Sequence, residues 1–117
     1  MLRLDKGDTM KKNGLIVVMC DAPNDQEFVD WLHGPHMEEV KATPGIKSVR
    51  RYEIVGGPPD RRQYLGLMET DDLDASLAWR DSPAGQRSQE EANKRGICNR
   101  YGLVCVPVYS SIAGEVP

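Results

Sequence analysis

The chain contains two histidines, His33 and His36, three residues apart in a segment predicted to be helical. Residues at i and i+3 share one face of a helix, and imidazole titrates near neutral pH, so it can take up or release a proton during catalysis. This spacing indicates a general base or acid at the mouth of a pocket. The alternative is structural: one imidazole hydrogen-bonds to a backbone carbonyl beside Pro35 and tethers the helix. A metal site would need further ligands, which the neighbouring Glu38 and Glu39 do not establish, and we expect no metal.

Two arginines and a tyrosine follow one another on a predicted strand. Side chains alternate along a strand, so Arg50 and Arg51 point to opposite faces of the sheet. An arginine facing a pocket can hold a substrate carboxylate or enolate, and Tyr52 can donate a hydrogen bond to a developing oxyanion. The alternative for the arginine is an ion pair with Glu53, Glu69 or a helix carboxylate, because an unpaired buried charge is costly.

The charge balance excludes several classes of partner. The 117 residues include 15 Lys and Arg against 18 Asp and Glu, for a net charge of −3. Binding to nucleic acid or to an anionic membrane needs clustered positive charge, so we expect neither partner. No apolar run approaches the ~20 residues of a membrane-spanning helix, and the charged N-terminal stretch does not have the pattern of a secretory signal.

Three cysteines, Cys20, Cys98 and Cys105, show no CxxC spacing. An odd number without paired spacing argues against a disulfide framework or a structural zinc site and favours a cytoplasmic protein. All three lie in apolar strand contexts, so we expect buried, reduced and inert thiols.

Four apolar runs predict β-strands, at residues 15–20, 46–55, 63–69 and 97–109. Two helical segments lie between them. In the first, Asn24 is the predicted N-cap, and the ring of Pro35 predicts a kink near Gly34 because it cannot fit a regular helix interior. The second begins among Asp71–Asp74 and restarts at Ser82, where serine caps the helix and the proline that follows suits the first turn.

The element order is therefore β-α-β-β-α-β, the ferredoxin-like α+β plan with an antiparallel sheet and both helices on one face. The first and last strands are too apolar to leave the other face in water. A chain of this length has no further layer to cover that face, so we predict a homodimer in which two sheets face each other and close a barrel. The predicted domain spans residues 14–110, between flexible tails at 1–13 and 111–117.

Several motifs occur in the order found in a known superfamily. They are the helix 27–40 with its Trp and His residues, Pro44-Gly45, the strand segment Ser48-Val49-Arg50-Arg51-Tyr52, and Ser82-Pro83-Ala84-Gly85. Across residues 14–109 the chain resembles the dimeric α/β-barrel superfamily and, within it, the EthD-like proteins. That superfamily includes cofactor-free monooxygenases, lactone isomerases, polyketide cyclases and haem-handling enzymes, so the resemblance is more specific for fold than for activity.

The resemblance implies a small enzyme without a cofactor that acts on an apolar aromatic or lactone-type metabolite by proton transfer, isomerisation or oxygenation. The family histidine maps either to His33, in its His-Gly-Pro triplet, or to His36, five residues after Trp31. The spacing favours His36 as base or acid, with His33 as its aid or substitute, and Arg51, Tyr52 and Trp31 would bind the substrate. The alternative is a non-catalytic dimer that binds a hydrophobic ligand or serves as an auxiliary subunit of a degradation or biosynthetic pathway. A histidine lining an apolar cavity beside a second polar group would favour the enzyme.

Overall fold

The helices and strands follow the predicted order. The structure is a computed structural model that describes residues 11–116, so most of the predicted N-terminal tail lies outside the described residues. The strands are β1 (Gly14–Asp21), β2 (Ile46–Glu53), β3 (Tyr64–Thr70) and β4 (Cys98–Cys105). The helices are α1 (Gln26–Trp31), α2 (Met37–Lys41), α3 (Leu73–Asp81) and α4 (Pro83–Lys94), and a π-helical turn at Leu32–His36 joins α1 to α2.

Within residues 11–116 the strands form one antiparallel sheet in the order β2-β3-β1-β4. The helices lie on one face of it: Leu73 of α3 is the nearest side chain to Gly14, and Cys20 packs against the buried residues of α1. Side chains of β1 alternate between the faces, so the even-numbered positions from Gly14 to Cys20 all face the helices. This arrangement is the predicted ferredoxin-like α+β fold.

The first helical segment is capped and interrupted by its own sequence. Asp25 is the N-cap, and its carboxylate accepts a hydrogen bond from the backbone N–H of Phe28 at 3.2 Å, one residue later than the predicted cap Asn24. Pro35 lies inside the π-helical turn, where the Met37 amide donates to the Leu32 carbonyl five residues back. The helix is therefore widened around Gly34, at the predicted kink. Such turns often occur at functional sites.

A buried cluster attaches this segment and α4 to the sheet. Phe28, Leu32, Ala92 and Ile97 are each at most 8% exposed. Burying a Phe, Leu or Ile side chain contributes about 1.5–3 kcal/mol to stability. The cluster includes the first residue of the π-helical turn, so it fixes the position of that turn over the sheet.

The junction of α3 and α4 depends on Gly85. The hydroxyl of Ser82 accepts a hydrogen bond from the Gly85 amide and donates one to the Trp79 carbonyl. A Cβ atom at position 85 would overlap the carbonyl oxygens of Trp79 and Arg80, which are backbone atoms and cannot rotate away.

We therefore expect Gly85→Ala to lower the free energy of unfolding by about 3 kcal/mol, at the upper end of the range for overpacking. Urea denaturation followed by circular dichroism measures it. Gly34→Ala is the matched control, because a Cβ there meets no atom within 4 Å, and it should change stability little. Equal stability of the two variants would show that α3 and α4 are not packed this closely.

The face of the sheet opposite the helices, called the open face below, carries mainly apolar side chains. By strand alternation its polar members include Ser48, Arg50 and Glu69, and its larger apolar members are Leu15, Val17, Met19, Tyr52, Leu65, Leu67, Tyr101 and Leu103. Tyr52, Tyr101 and Leu103 are 47%, 49% and 40% exposed. An apolar face of this kind typically marks an interaction surface.

Candidate functional site

A cavity of about 390 Å³ lies between the helices and the sheet. A row of residues directly opposite one another on the four strands forms its floor: Arg51 on β2, Gly66 on β3, Val18 on β1 and Gly102 on β4. The glycines leave the space above the central strands unfilled. A Cβ atom at either glycine would lie 3.8 Å from its nearest neighbour, a backbone carbonyl oxygen of β1. The cavity therefore owes its existence to two strand glycines that flank Val18.

His36 reaches this cavity from the π-helical turn. Its ring stacks on Trp31 with centroids 4.7 Å apart, and its side chain is 13% exposed. Nδ1 is buried and has no hydrogen-bond partner among residues 11–116. The nearest carboxylate oxygen, Oε1 of Glu39, lies 3.8 Å away and accepts a hydrogen bond from Ser88. Burial lowers the pKa of His36 and outweighs the opposing effect of Glu39, so the imidazole is neutral at pH 7.

Arg51 enters the cavity from the edge strand β2. Its guanidinium stacks 4.0 Å from the ring centroid of Tyr64, and Nη1 lies 3.5 Å from Nε2 of His33. Nη2 is buried without a hydrogen-bond partner in the described part of the chain. Arg50, by contrast, lies on the open face with Nη1 3.9 Å from Glu69, so it forms the ion pair that the sequence offered as the structural alternative. Arg51 retains donors for a ligand.

The predicted site residues divide between the two faces of the sheet. His36 and Arg51 line the cavity, while the exposed His33 lies beside Arg51. Trp31 supports the His36 ring from behind and is not a lining residue. Tyr52 lies on the open face, so the sheet separates it from both histidines. Among residues 11–116 neither histidine hydrogen-bonds to a backbone carbonyl, and His33 instead contacts Arg51.

Arg100 on β4 is a lining residue that the sequence did not single out as a site residue. Its Nε donates to Oδ1 of Asn93 at 2.9 Å.

Burial of Cys20 raises the pKa of its thiol, although Arg100 and Arg51 act in the opposite direction, so the thiol is protonated at neutral pH. Cys98 is exposed and Cys20 and Cys105 are half-buried, so the prediction that all three cysteines are buried was wrong. Cys98 pairs with Asp21 of β1, beyond a register shift that follows Met19.

Because the imidazole of His36 is buried, we expect the free energy of unfolding to decrease as the pH is lowered. In the unfolded chain its pKa returns to about 6.5, whereas burial lowers the pKa in the folded chain. The unfolded state therefore binds more protons below about pH 6.5, and the free energy of unfolding falls until the pH drops below the folded pKa.

We expect the wild type to lose more stability than His36→Gln between about pH 7.5 and 5.5, because only the wild type has this buried titrating group. Urea denaturation at several pH values measures the difference. His33 is present in both proteins and so cannot cause a difference between them. Parallel pH profiles would show that His36 is not desolvated.

The fold and the cavity together define a class: a ferredoxin-like α+β domain with a cavity between its helices and its sheet. Solved structures confirm the fold. An EthD family protein from Bacillus halodurans C-125 superposes with a TM-score of 0.60 at 18% identity, over 82% of this chain and 99% of the other. A DABB family protein with a ferredoxin-like fold from Mesorhizobium loti gives 0.68 at 12% identity, over 85% and 100%. SnoaB, a cofactor-independent oxygenase from Streptomyces nogalater, gives 0.63 at 10% identity, over 86% and 97%.

Comparison of the sequence with protein-family models and with curated proteins found no match. At 10–18% identity the structural similarity shows the fold and leaves the activity to be argued from the site. No helix within residues 11–116 is long and apolar enough to cross a bilayer.

Proposed function

We propose that this chain is a small cofactor-independent enzyme that binds an apolar aromatic or lactone-type metabolite in the cavity and acts on it by proton transfer. The observation that carries the proposal is that a neutral imidazole, His36, and a guanidinium with an unused donor, Arg51, line the same cavity. A base and an oxyanion-binding group that converge on one apolar space are the parts that proton abstraction next to a carbonyl requires.

In this mechanism the neutral imidazole of His36 accepts a proton from a C–H bond of the substrate. The electron pair of that bond moves onto the adjacent carbonyl oxygen, and the resulting enolate accepts hydrogen bonds from Arg51. Glu39, 3.8 Å from Nδ1, stabilises the imidazolium that forms. In an isomerisation the imidazolium returns the proton to another carbon atom. In an oxygenation the carbanion gives its electron pair to dioxygen and a C–O bond forms, and the imidazolium returns its proton to the resulting peroxide anion to give a hydroperoxide.

Two structural relatives support an enzyme of this size and fold. SnoaB is described as a cofactor-independent oxygenase, and a Passiflora edulis protein with a TM-score of 0.68 at 11% identity is a hydroxynitrile lyase. The non-catalytic alternative uses the same cavity only to hold a hydrophobic ligand. It differs from the enzyme in one measurable respect, because it requires no proton transfer by His36.

Solvent deuterium exchange tests the proposal. β-Tetralone and related apolar bicyclic ketones have acidic C–H bonds next to a carbonyl, and NMR follows the loss of those proton signals in D2O. We expect the protein to accelerate exchange above a buffer blank, with a rate that rises with pH as His36 loses its proton. Binding of these ketones without any acceleration would identify a ligand-binding protein instead of an enzyme.

We also propose that the protein is a homodimer that buries the open face. The dimeric ferredoxin-like protein from Thermobifida fusca, with a TM-score of 0.60 at 11% identity, shares this fold. Leu65 lies in the middle of that face, opposite Met19 on β1 and Tyr52 on β2. A carboxylate placed there would have to be desolvated in the dimer, which is strongly unfavourable.

Leu65→Glu is therefore expected to halve the mass that light scattering measures at micromolar concentration, with the circular dichroism spectrum retained. Arg87→Glu makes a larger change of charge on the exposed surface of α4 and should leave a dimer. A wild-type protein that is monomeric at micromolar concentration would contradict the proposed dimer.

A further inference from the structure

We infer that the ligand of this cavity is an apolar carboxylate and that Arg51 and Arg100 bind its anionic group. The inference rests on the proposed function only in taking the cavity as the substrate site. It goes further in naming the chemical class of the ligand from the charges around that cavity.

The charges that line the cavity are opposite in sign to the net charge of the chain. The protein has a net charge of −3, yet the lining contains four arginines, Arg50, Arg51, Arg80 and Arg100, and, among the described residues, no Asp or Glu. The guanidinium of Arg50 points to the open face, so three positive groups remain on the cavity side. A cavity built for a neutral apolar ligand gains nothing from this concentration of guanidinium groups, because each loses hydration when a ligand covers it.

Two of these arginines have a carboxylate nearby. Arg50 pairs with Glu69 on the open face, and Nε of Arg80 lies 3.4 Å from Asp81. Arg51 and Arg100 have no carboxylate within ion-pair distance among residues 11–116. These two are therefore the cations available to a ligand.

Arg51 is held in place and retains a free donor. Stacking on Tyr64 and the contact with His33 fix the plane of its guanidinium, while Nη2 is buried without an acceptor in the described structure. A planar guanidinium with its remaining N–H groups in one plane matches the two oxygens of a carboxylate.

Arg100 approaches from the other edge of the sheet. Arg51 is on the edge strand β2 and Arg100 on the edge strand β4. The positive charges of both arginines reach Cys20 of β1, whose side chain faces the helices. Burial raises the pKa of the Cys20 thiol, and both arginines oppose that effect. Nε of Arg100 donates to Asn93. Among the described residues, the terminal nitrogens of Arg100 have no hydrogen-bond partner. The two guanidinium groups therefore place positive potential over the glycine-lined floor.

A bound carboxylate would also change the electrostatics around His36. In the free protein burial lowers the pKa of His36, and Arg100 lowers it further, so both disfavour the imidazolium. An anionic ligand bound between the arginines and His36 offsets that repulsion as the imidazole takes up a proton. The same positive groups therefore serve ligand binding before the reaction and charge balance during it.

A pair of isosteric probes tests the inference. 1-Naphthoate and 1-naphthamide have the same ring system and differ in charge, and quenching of tryptophan fluorescence can follow the binding of either, because Trp79 lines the cavity. We expect wild-type protein to bind naphthoate at least tenfold more tightly than naphthamide. Arg51→Gln should remove most of that preference, and Arg100→Gln should reduce it. Arg87→Gln, which removes one exposed positive charge from α4, should leave it unchanged.

The same titrations in His36→Gln separate this inference from the proposed function. A preference for naphthoate that persists in His36→Gln, together with no exchange by the wild type, would support the anion site and reject the enzyme. Exchange by the wild type without a preference for naphthoate would support the enzyme and overturn the anion site. Equal affinity for both probes, no binding of either, or a preference that survives in both Arg51→Gln and Arg100→Gln would each overturn the inference.

Discussion

His36→Gln is expected to slow the exchange of β-tetralone by about 10²–10⁴-fold, the usual contribution of a general base. Glutamine keeps polarity near the position of the imidazole and cannot take up a proton in this pH range. His36 is the histidine that lines the cavity, and its burial keeps it neutral, so the loss should appear in the rate and not in the fold. NMR exchange rates and circular dichroism measure the two independently.

His33→Gln is the matched comparison, since the chain has only two histidines. His33 is exposed and contacts Arg51 at 3.5 Å, so its loss disturbs the position of Arg51 without removing the base. We expect a reduction of less than about tenfold, well below the contribution of a general base. The reverse order, with the larger loss in His33→Gln, would assign the role of general base to His33.

Gly66→Val is expected to abolish naphthoate binding and exchange while leaving the protein folded. Position 66 faces the helices at the centre of the cavity floor, and its Cβ would lie 3.8 Å from the Val18 carbonyl oxygen, an ordinary contact. The added methyl groups would occupy the space that a ligand needs. Valine suits a strand better than glycine does, so the free energy of unfolding should stay level or rise by about 0.5–1 kcal/mol.

Gly56→Val is the control for this variant, because Gly56 lies in the loop between β2 and β3 and a Cβ there meets nothing within 4 Å. It should bind naphthoate like the wild type. Fluorescence titration and urea denaturation of both variants give the comparison. If Gly66→Val binds as tightly as the wild type, the ligand site lies elsewhere.

Features that depend on local pattern were predictable from the sequence. The apolar run from Leu15 to Cys20 predicts β1 almost to the residue, and Pro35 predicts the interruption at the π-helical turn. Boundaries were less accurate: β4 ends at Cys105 and not at Tyr109 as predicted. The observed N-cap is Asp25, one residue after the predicted Asn24. Both asparagine and aspartate are good caps, and only the fold determines which of them accepts the hydrogen bond.

Features that depend on pairing between strands were not predictable. A bulge between Ile46 and Ser48 moves Ile46 to the helix face, so it lines the cavity although simple alternation places it with Arg50. Likewise, glycine within a strand signals missing side-chain volume, but only the register shows that Gly66 and Gly102 flank the same valine.

The candidate site was partly predictable. The period of two that places Arg50 and Arg51 on opposite faces also separates Tyr52 from Arg51, so the sequence already contained the reason why these two do not meet at one ligand. Arg100 could not be found in this way, because it reaches the cavity from β4, far along the chain from His36, and only the fold brings the two together.

A crystal structure of the protein with 1-naphthoate bound tests most directly whether His36 and Arg51 act on one ligand. We predict the naphthalene ring between the helices and the sheet, above Gly66, with the carboxylate within hydrogen-bond distance of the Arg51 guanidinium and the His36 ring in contact with the ligand. Naphthoate bound on the open face, or bound in the cavity with its carboxylate turned away from both Arg51 and Arg100, would contradict the assignment.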